Sequence, residues 1–344
     1  MSTMKVFVTG GTGLLGANLI RELLSRNYDV RALVRRGSDL RGIRDLNVEL
    51  YEGDLSEEQS LYEGCKGFDY VIHSAAQTPG SITDFSEYIV ANIRGTQHMV
   101  RAVERAQVTR MIYVSSCCVF GGGSKESPGT ELSEFTGFRF HSGYMNSKYL
   151  AQQWVLSEVE KKQIPILIVN PTIMIGPYDS HPSSGEIILR VIRQPLQFCP
   201  VGGKNFIDVR DAASAACNAL TMGAIGECYL LASQNLTFNE LYEKISRIYG
   251  RQVTKVSVPG CLLNTLGLTG NFIRFLTHKD IPLNYTNTRQ LSCESYFSGD
   301  KAARFLGLPQ RSIDQAIEDA ILWFADHNYL PAHTSQKTYT ASAA

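Results

Sequence analysis

A glycine-rich loop near the N terminus constrains the fold of this chain more than any other feature of its sequence. The loop runs from Val8 to Gly16 as Val-Thr-Gly-Gly-Thr-Gly-Leu-Leu-Gly, directly after an apolar run. An amphipathic helical pattern follows it. Glycine permits a tight turn and a close approach of the backbone to a pyrophosphate, and a helix N terminus offers free N–H groups and a positive dipole end. The pattern therefore predicts a dinucleotide-binding loop, with contacts from Gly10, Thr12, Gly13, Leu14, Leu15 and Gly16.

Short apolar runs alternate with helical patterns through the first half of the chain. Strands are predicted at 5–8, 30–34, 48–51, 70–73, 111–114 and 165–169, and long helices over 85–106 and 142–162. This alternation predicts an α/β fold, namely a Rossmann-type doubly wound parallel sheet. Right-handed crossovers place the C-terminal ends of the strands at one edge, where ligands bind.

After Pro171 the alternation loosens, which indicates a second, smaller unit. We expect an NADP-binding domain with the catalytic residues over 1–170, and a C-terminal substrate-binding cap interleaved with late Rossmann elements over 171–332. Residues 333–344 are small and polar, which favours a disordered tail. The apolar stretch 261–276 is interpreted as a lid, a dimer contact or core, and the sequence leaves these three open.

Composition excludes several classes of function. The chain has 344 residues, with 33 basic and 33 acidic side chains, so nothing resembles the basic balance of a nucleic-acid binder. No stretch reaches the roughly 18 to 20 apolar residues that span a bilayer, and the N terminus carries no signal-peptide pattern. None of the eight cysteines has zinc-ligand spacing, so no metal site is expected. A cytoplasmic protein without a transmembrane segment or a nucleic-acid partner is the expectation.

The end of the second predicted strand bears on the choice of dinucleotide. An NAD-binding protein usually places Asp or Glu there, where the carboxylate bonds the ribose hydroxyls. This strand instead ends in Leu-Val-Arg35-Arg36. Because guanidinium groups form bidentate bonds to phosphate, Arg35 and Arg36 favour NADP(H) over NAD(H). The alternative interpretation is a pair of solvated surface arginines.

Further cofactor contacts are predicted at the ends of the later strands. A carboxylate after the third strand can accept the adenine amino group, and small residues after the fourth let the backbone pass close to the cofactor. His73, inside that fourth strand, is expected to be a packed residue rather than a catalyst. Asn92, on the long helix, can steady the cofactor and the lysine network, although a plain helix-face asparagine is an open alternative. The predicted contacts are Asp54, Leu55, Ala75, Ala76 and Asn92.

Tyr144 and Lys148 form the candidate catalytic pair. They are four residues apart at the start of a predicted helix and so share one face. A phenol has a pKa near 10, and a nearby ammonium together with a positive nicotinamide ring favours the phenolate. Lys148 can also hold ribose hydroxyls of the cofactor. Ser116 follows the fifth strand at the ligand edge and can donate a hydrogen bond to a substrate oxygen.

These motifs together resemble the extended short-chain dehydrogenase/reductases, the NAD-dependent epimerase/dehydratase family. The resemblance rests on the glycine loop, on Asn92-Ile-Arg-Gly-Thr96, on Val114 to Gly121, on Tyr144-Met-Asn-Ser-Lys148 and on Asn170 to Pro177. Within the family the chain is most similar to dihydroflavonol 4-reductase-like and hopanoid-associated sugar epimerase-like proteins. The resemblance implies a catalytic triad of Ser116, Tyr144 and Lys148, with Pro171 against the nicotinamide.

Departures from the family pattern narrow the reaction. Dehydratases carry Asp-Glu after the catalytic serine, and this chain has Cys117-Cys118, which argues against dehydration. The leading hypothesis is an NADPH-dependent reductase of an aldehyde or ketone, with Tyr144 as acid/base. The alternative is an NDP-sugar epimerase with tightly bound NAD, which would need cations for the diphosphate: Arg190, Arg193, Lys204 and Arg210 are available. A cofactor-retaining sensor or binding module is a third possibility.

The expected partner is a small carbonyl or alcohol substrate. Its candidate contacts follow strand ends or flank the catalytic residues: Gln77, Cys118, His141, Asn170 and Tyr178. The family resemblance also implies a homodimer through the helices predicted at 85–106 and 142–162.

Overall fold

The computed structural model describes residues 3–78, 85–260, 263, 265, 267–269 and 285–330. Its strands are β1 (Lys5–Thr9), β2 (Asp29–Val34), β3 (Glu49–Glu52), β4 (Tyr70–His73), β5 (Arg110–Val114), β6 (Ile166–Pro171), β7 (Ile173–Ile175), β8 (Leu196–Pro200), β9 (Gly203–Asp208), β10 (Cys228–Leu231), β11 (Gln234–Thr237), β12 (Thr254–Val258) and β13 (Glu294–Ser295). Seven of them form one parallel sheet in the order β10-β6-β5-β4-β1-β2-β3. The predicted doubly wound fold is confirmed.

Helices cover both faces of this sheet and build the cap. They are α1 (Leu14–Ser25), α2 (Glu58–Cys65), α3 (Phe85–Tyr88), α4 (Gly95–Ala106), α5 (Gly143–Lys162), α6 (Glu186–Arg193), α7 (Val209–Asn218), α8 (Phe238–Tyr249), α9 (Tyr285–Leu291), α10 (Asp300–Leu306) and α11 (Ile313–Asp326). Short 3₁₀ turns lie at Cys117–Val119 and Gly137–Phe140. In the described part of the chain, no helix is long and apolar enough to cross a membrane.

The helix predicted over 85–106 is not a single α-helix. A π-helical turn, Ile89–Arg94, separates α3 from α4. The wider turn carries Asn92 on its inner side, where only 1% of that residue is exposed. Such turns are rare in proteins, and those that occur are often found at functional sites. This departure from the prediction therefore bears on the site described below.

The central strands are apolar on both sides because helices cover both faces of the sheet. Val6, Phe7 and Val8 of β1 are fully buried, as is typical of parallel sheets. One face packs against α1 and α7, and the other against α2, α4 and α5. The strand order reverses between β1 and β4, so a ligand crevice is expected at their C-terminal ends.

The second half of the chain supplies both the cap and part of the central layer. In the cap, β9 pairs with β7, β11 and β13, and β8 pairs with β12 in parallel. A separate core joins α6, α8 and α11. However, β10 is an edge strand of the central sheet and α7 packs on α1. The division at residue 170 stays a prediction; the tail 333–344 and all of 261–276 except residues 263, 265 and 267–269 lie outside the described residues.

Candidate active site

The glycine loop joins β1 to α1 at the reversal point of the sheet. Gly10 has φ +76°, and a Cβ there would lie 2.7 Å from the backbone N of Ala75. A Cβ on Gly16 would collide with the carbonyl oxygen of Gly10. Both positions therefore require glycine, since a side chain would push the loop out of the space that brings its backbone close to a ligand. The cradle fits the pyrophosphate of a dinucleotide.

The remaining predicted loop contacts lie at the start of α1. Gly13 is exposed and is the N-cap residue, with no side chain to bond the first N–H groups of the helix. Thr12 is half-buried, whereas Leu14 and Leu15 point into the core. The two leucines can therefore contribute backbone N–H groups, and the positive end of the helix dipole faces the loop.

Arg35 and Arg36 follow β2 directly and are both exposed. Within the described residues, neither guanidinium forms a hydrogen bond or an ion pair. The hydroxyl of Ser38 accepts a bond from the Arg35 backbone N–H at 3.1 Å, which shapes the turn. Two guanidinium groups that have no partner in the described residues, at a strand end without a carboxylate, suit a phosphate group.

Asp54 lies across from Arg35 after β3. Its carboxylate accepts bonds from the Ser56 N–H and hydroxyl at 2.8 and 2.7 Å, and these bonds lower the pKa of Asp54. The following Leu55 packs against Gly95 of α4. Oδ1 of Asp54 is thus engaged in the local turn. The predicted contact with the adenine amino group would therefore use the other oxygen, Oδ2.

Asn92 fixes the backbone that leaves β4. Its side chain accepts a bond from the Gln77 N–H at 2.7 Å and donates to the Gln77 carbonyl at 3.0 Å. It also donates to the Ser147 hydroxyl on α5 at 3.0 Å. Asn92 therefore connects the segment Ala75–Gln77 to the helix that carries Tyr144 and Lys148. The amide acts on the protein itself, as a support for the site.

Ser116, Tyr144 and Lys148 converge at the end of β5. Lys148, on α5, is 2% exposed and its Nζ donates to the Val114 carbonyl at 2.9 Å. Ser116 follows β5, is half-buried and accepts a bond from the Cys118 N–H at 3.3 Å, so its own hydroxyl proton is available. Tyr144 is half-buried at the start of α5. The three predicted catalytic side chains are thus brought to one edge of the sheet.

The electrostatics keep the phenol neutral and make the lysine easier to deprotonate than a solvated lysine, although it is still mostly charged at pH 7. Burial raises the pKa of Tyr144 far above its usual value, the Cys118 thiol adds to this rise, and the Ser116 hydroxyl partly offsets it. Burial lowers the pKa of Lys148 to about 8. In this state Tyr144 holds a proton that it can donate. The phenolate expected from the sequence would require the additional positive charge of an oxidised nicotinamide.

Residues 170 and 171 end β6 beside Ser116. Asn170 is fully buried and donates to the Ser116 carbonyl at 3.0 Å and to Gln152 Oε1 at 2.8 Å. This complete burial argues against the substrate contact that we expected of Asn170 and makes it a support for Ser116. Pro171 is also buried, at the C-terminal end of β6. Gln152 was not predicted, although its spacing of four residues from Lys148 places it on the same helix face.

Tyr178 lies in a loop that crosses the glycine loop. Its ring packs under the Arg21 guanidinium, 3.6 Å from the ring centroid, and edge-on to Trp323. Through this packing the ring links α1 to the cap, and the substrate contact predicted for Tyr178 stays a prediction. Two residues on, the Ser180 hydroxyl donates to the Thr12 carbonyl at 3.2 Å. The cap thereby holds the predicted phosphate loop directly.

The remaining predicted substrate residues surround Tyr144 in the sequence or in space. The thiol of Cys118 acts on the pKa of both Tyr144 and Lys148, which places it beside them. His141 is exposed, with φ +51°, and ends the turn before α5. Tyr88 of α3, which we did not predict, packs edge-on against Tyr144 with ring centroids 6.2 Å apart. No sequence pattern identified Tyr88, because the contact spans two helices.

His73 lies behind this site in a fully buried position. Its Nδ1 is 2.7 Å from Thr9 Oγ1, and its Nε2 is 3.2 Å from Thr96 Oγ1. Since Thr96 Oγ1 donates to the Asn92 carbonyl, it must accept from Nε2–H, which assigns the neutral tautomer from the hydrogen bonds. Burial lowers the pKa of His73 to about 3. The expectation of a packed, non-catalytic histidine agrees with this position.

Comparisons with known proteins agree with the fold and identify the family. The model of the NAD dependent epimerase/dehydratase family matches residues 6–232. A Synechocystis protein described as a putative dihydroflavonol 4-reductase is 33% identical over 94% of this chain and 95% of its own length. Among solved structures, gox2253 is 32% identical with a TM-score of 0.84, covering 96% of this chain and all of that one.

A more distant structure shares the fold alone. A nucleoside-diphosphate-sugar epimerase from Pseudomonas aeruginosa is 23% identical, with a TM-score of 0.76, over 96% of this chain and all of its own. A protein described as a sugar epimerase thus has this architecture too, so the fold by itself does not separate a reductase from an epimerase.

Proposed function

This chain belongs to the NAD dependent epimerase/dehydratase family, and within that family we propose that it is an NADPH-dependent reductase of an aldehyde or ketone. The family and its relatives are NAD(P)-dependent oxidoreductases and epimerases, so binding of a nicotinamide cofactor follows from membership. The preference for NADPH and the direction of the reaction are our proposal. The observation that carries it is the exposed pair Arg35 and Arg36, without partners in the described chain, at the end of β2.

The arginine pair supports a cofactor that is bound, used and released. A 2′-phosphate would receive two guanidinium groups that make no competing ion pair with the described residues. Selection for NADPH suits reduction, because the oxidised cofactor then leaves after each cycle. The relative described as a putative dihydroflavonol 4-reductase supports the same assignment.

Each site residue has a defined task in this proposal. A bound reduced nicotinamide supplies the hydride. Tyr144, whose pKa is raised by burial, donates its proton to the substrate oxygen as negative charge develops there. Ser116 donates a second hydrogen bond to that oxygen, since its hydroxyl proton is available. Lys148 contributes a positive charge beneath the site and can orient the ribose hydroxyls.

The cap offers few free cations for a sugar diphosphate. Lys204 donates to the carbonyls of Gln290 and Cys293 at 2.8 and 3.2 Å. Arg193 donates to the Tyr329 carbonyl at 2.8 Å, and Arg210 forms ion pairs with two aspartates. Of the four cations that an epimerase could use, only Arg190 has no ion pair or hydrogen bond from its side chain to the described residues. This supports the reductase over the epimerase.

Calorimetric titration of the cofactor-free protein with NADPH and NADH tests the proposal. We expect tighter binding of NADPH, and a loss of about 10- to 100-fold for NADPH in Arg35→Ala, because a charged hydrogen bond contributes about 1.5–3 kcal/mol. NADH binding should stay unchanged in that variant. Arg44→Ala, which removes another exposed positive charge, is the matched control.

Two results would contradict the proposal. One is a purified protein that already holds NAD and does not exchange it. The other is equal binding of both dinucleotides regardless of Arg35. Either would favour the epimerase, and nucleotide sugars would then be the substrates to assay.

A further inference from the structure

Lys148 is a buried cation that pairs with no carboxylate among the described residues. Only 2% of the residue is exposed, and its Nζ has one hydrogen bond within the described residues, to the Val114 carbonyl. An ammonium group has three donors. Burial of such a group away from water disfavours its charged form, and an opposite charge or another favourable contact must compensate for the lost hydration.

The titratable groups around Lys148 are all neutral near pH 7. Cys118, after β5, has its pKa raised to about 11 by burial. His73, on β4, has its pKa lowered to about 3 by burial. On its own helix, Tyr144 keeps its proton because burial raises the pKa of the phenol. None of these groups supplies a negative charge to Lys148.

Within the described part of the chain, the ring of Tyr113 is the further contact of the Lys148 ammonium. Nζ of Lys148 lies over this ring, 5.1 Å from its centroid. This distance is within the range of a cation–π interaction, in which the negative face of the ring attracts the ammonium. Burial raises the pKa of Tyr113 well above its usual value, so the phenol is neutral. Lys148 meets the face of this ring and not its hydroxyl, so the ring face is the part that acts on the ammonium.

Contacts with His73 on the neighbouring strand β4 fix the position of the Tyr113 ring. Tyr113 is the register partner of His73 in the β4–β5 pair, and the two rings stack at 5.8 Å with 20° between their planes. His73 is held in turn by Thr9 of β1 and Thr96 of α4. A continuous series of buried contacts therefore runs from the start of the glycine loop to Lys148.

We propose that Tyr113 is a positioning residue, whose ring face holds the Lys148 ammonium in place and favours its charged form. The proposal rests on the proposed function for the role of Lys148 in turnover. The placement of the charge itself is a property of the chain without cofactor. Loss of the ring would leave Lys148 partly neutral at physiological pH, before any dinucleotide binds.

The test is a direct titration of Lys148 in the cofactor-free protein. The ¹³Cε resonances of labelled lysine are followed by NMR from pH 6 to 11, and Lys148 is assigned from its absence in Lys148→Met. We expect a midpoint near pH 8 in the wild type and the same midpoint in Tyr113→Phe, which keeps the ring. Tyr113→Leu should lower the midpoint by about 0.5–1.5 units, the equivalent of a buried cation–π contact.

Tyr113→Leu could lower the Lys148 midpoint through a folding defect, so a second series of variants keeps an aromatic ring of nearly unchanged shape at position 113. Phenylalanines with increasing fluorination at position 113 weaken the negative face, so the Lys148 midpoint should fall stepwise with fluorine content. An unchanged midpoint across this series, or an equal fall in Tyr113→Phe, would overturn the inference.

NADPH titration of the same proteins separates the two proposals. If the stepwise fall occurs but NADPH does not bind preferentially, the proposed function fails and the inference about Tyr113 stands. If NADPH binds as proposed but the Lys148 midpoint does not respond to the ring, only the inference fails.

Discussion

At the scale of single residues, the protonation state of Tyr144 determines what the site can do. Tyr144 is half-buried and holds its proton because burial raises the pKa of the phenol. Reduction of a carbonyl consumes a proton, whereas oxidation of an alcohol needs a base. The cofactor-free state of Tyr144 is therefore prepared for donation.

Replacement of Tyr144 by Phe should remove the acid and leave the cofactor site intact. We expect kcat for NADPH-dependent reduction of responsive aldehydes to fall by about 10²- to 10⁴-fold, the usual contribution of general acid–base catalysis. NADPH affinity, measured by calorimetry, should stay close to that of the wild type. Tyr149→Phe, which removes another hydroxyl from α5, is the control and should keep its activity. Near wild-type turnover in Tyr144→Phe would exclude this residue as the acid.

His73 gives the stability of the protein a distinct pH dependence. Its pKa is lowered to about 3 in the folded chain, whereas an unfolded histidine titrates near 6.5. The unfolded state therefore binds a proton first as the pH falls. Between about pH 6.5 and 3, this residue should reduce the free energy of unfolding by about 1.4 kcal/mol for each pH unit.

Urea unfolding of the wild type and His73→Gln over that pH range measures this contribution. The variant should be less stable at pH 7.5 because the bonds to Thr9 and Thr96 are disturbed, but its stability should fall less steeply towards acid. His141→Gln, at an exposed histidine without an ion pair to the described residues, is the matched control and should keep the wild-type slope. Parallel curves for wild type and His73→Gln would refute the assignment of a neutral, buried imidazole.

Among the elements, α1 shows how sequence sets local geometry. Its first turn packs so closely on the glycine loop that a Cβ at Gly16 would collide with the Gly10 carbonyl. At Gly13 the nearest atom to an added Cβ is 3.5 Å away, and its φ of −83° suits any residue. The two glycines of the same motif thus differ in what they require.

Alanine substitutions should separate these two positions. Gly16→Ala should lower the free energy of unfolding by about 1–3 kcal/mol, the usual cost of overpacking. Gly13→Ala should cost less than about 1 kcal/mol, because the preference of an N-cap for glycine over alanine is partly offset by the lower conformational entropy of the unfolded alanine chain. Urea unfolding of the cofactor-free proteins provides the comparison. A Gly16→Ala variant as stable as Gly13→Ala would show that the loop adapts.

The sequence predicted those elements whose signal is local. Val6 to Val8 form a continuous apolar run that is buried in β1, and α5 lies where a helix was predicted around Tyr144 and Lys148. The π-helical turn at 89–94 was not predicted, because the contacts that accompany it, from Asn92 to Gln77 and Ser147, join residues that are distant in sequence. The same reason hid Tyr88 and the support given by Tyr113, since these contacts join residues that are distant in sequence. Packing, rather than pattern, determines them.

The whole molecule is more interleaved than the division at residue 170 suggests. The edge strand β10 pairs with β6, and α7 packs along α1. Side chains reinforce this contact: Arg26 of the α1 C terminus donates to Asn218 Oδ1 at 2.7 Å. The first half alone lacks one strand of its sheet and the helix that covers α1.

A fragment ending at residue 170 is therefore expected not to fold by itself. Apolar surface on α1 and the edge of β6 would be open to water, which removes burial that a domain of this size needs. Circular dichroism with urea titration should show no cooperative transition for residues 1–170. Mixing with residues 171–344 should restore one, because the missing strand and helix are then supplied. Cooperative unfolding of the first fragment alone would establish residues 1–170 as an independent domain.

Synthesis on the ribosome proceeds from the N terminus, and the position of β10 imposes an order on it. The central sheet is still incomplete when β6, the last of its strands from the first half of the chain, has left the ribosome. It is completed only after β10, which ends at Leu231, has also left the exit tunnel. The helix α7, which covers α1, is made during this interval. Throughout that interval β6 presents an unpaired edge, so the nascent chain is most exposed to misassociation while the first strands of the cap are being made.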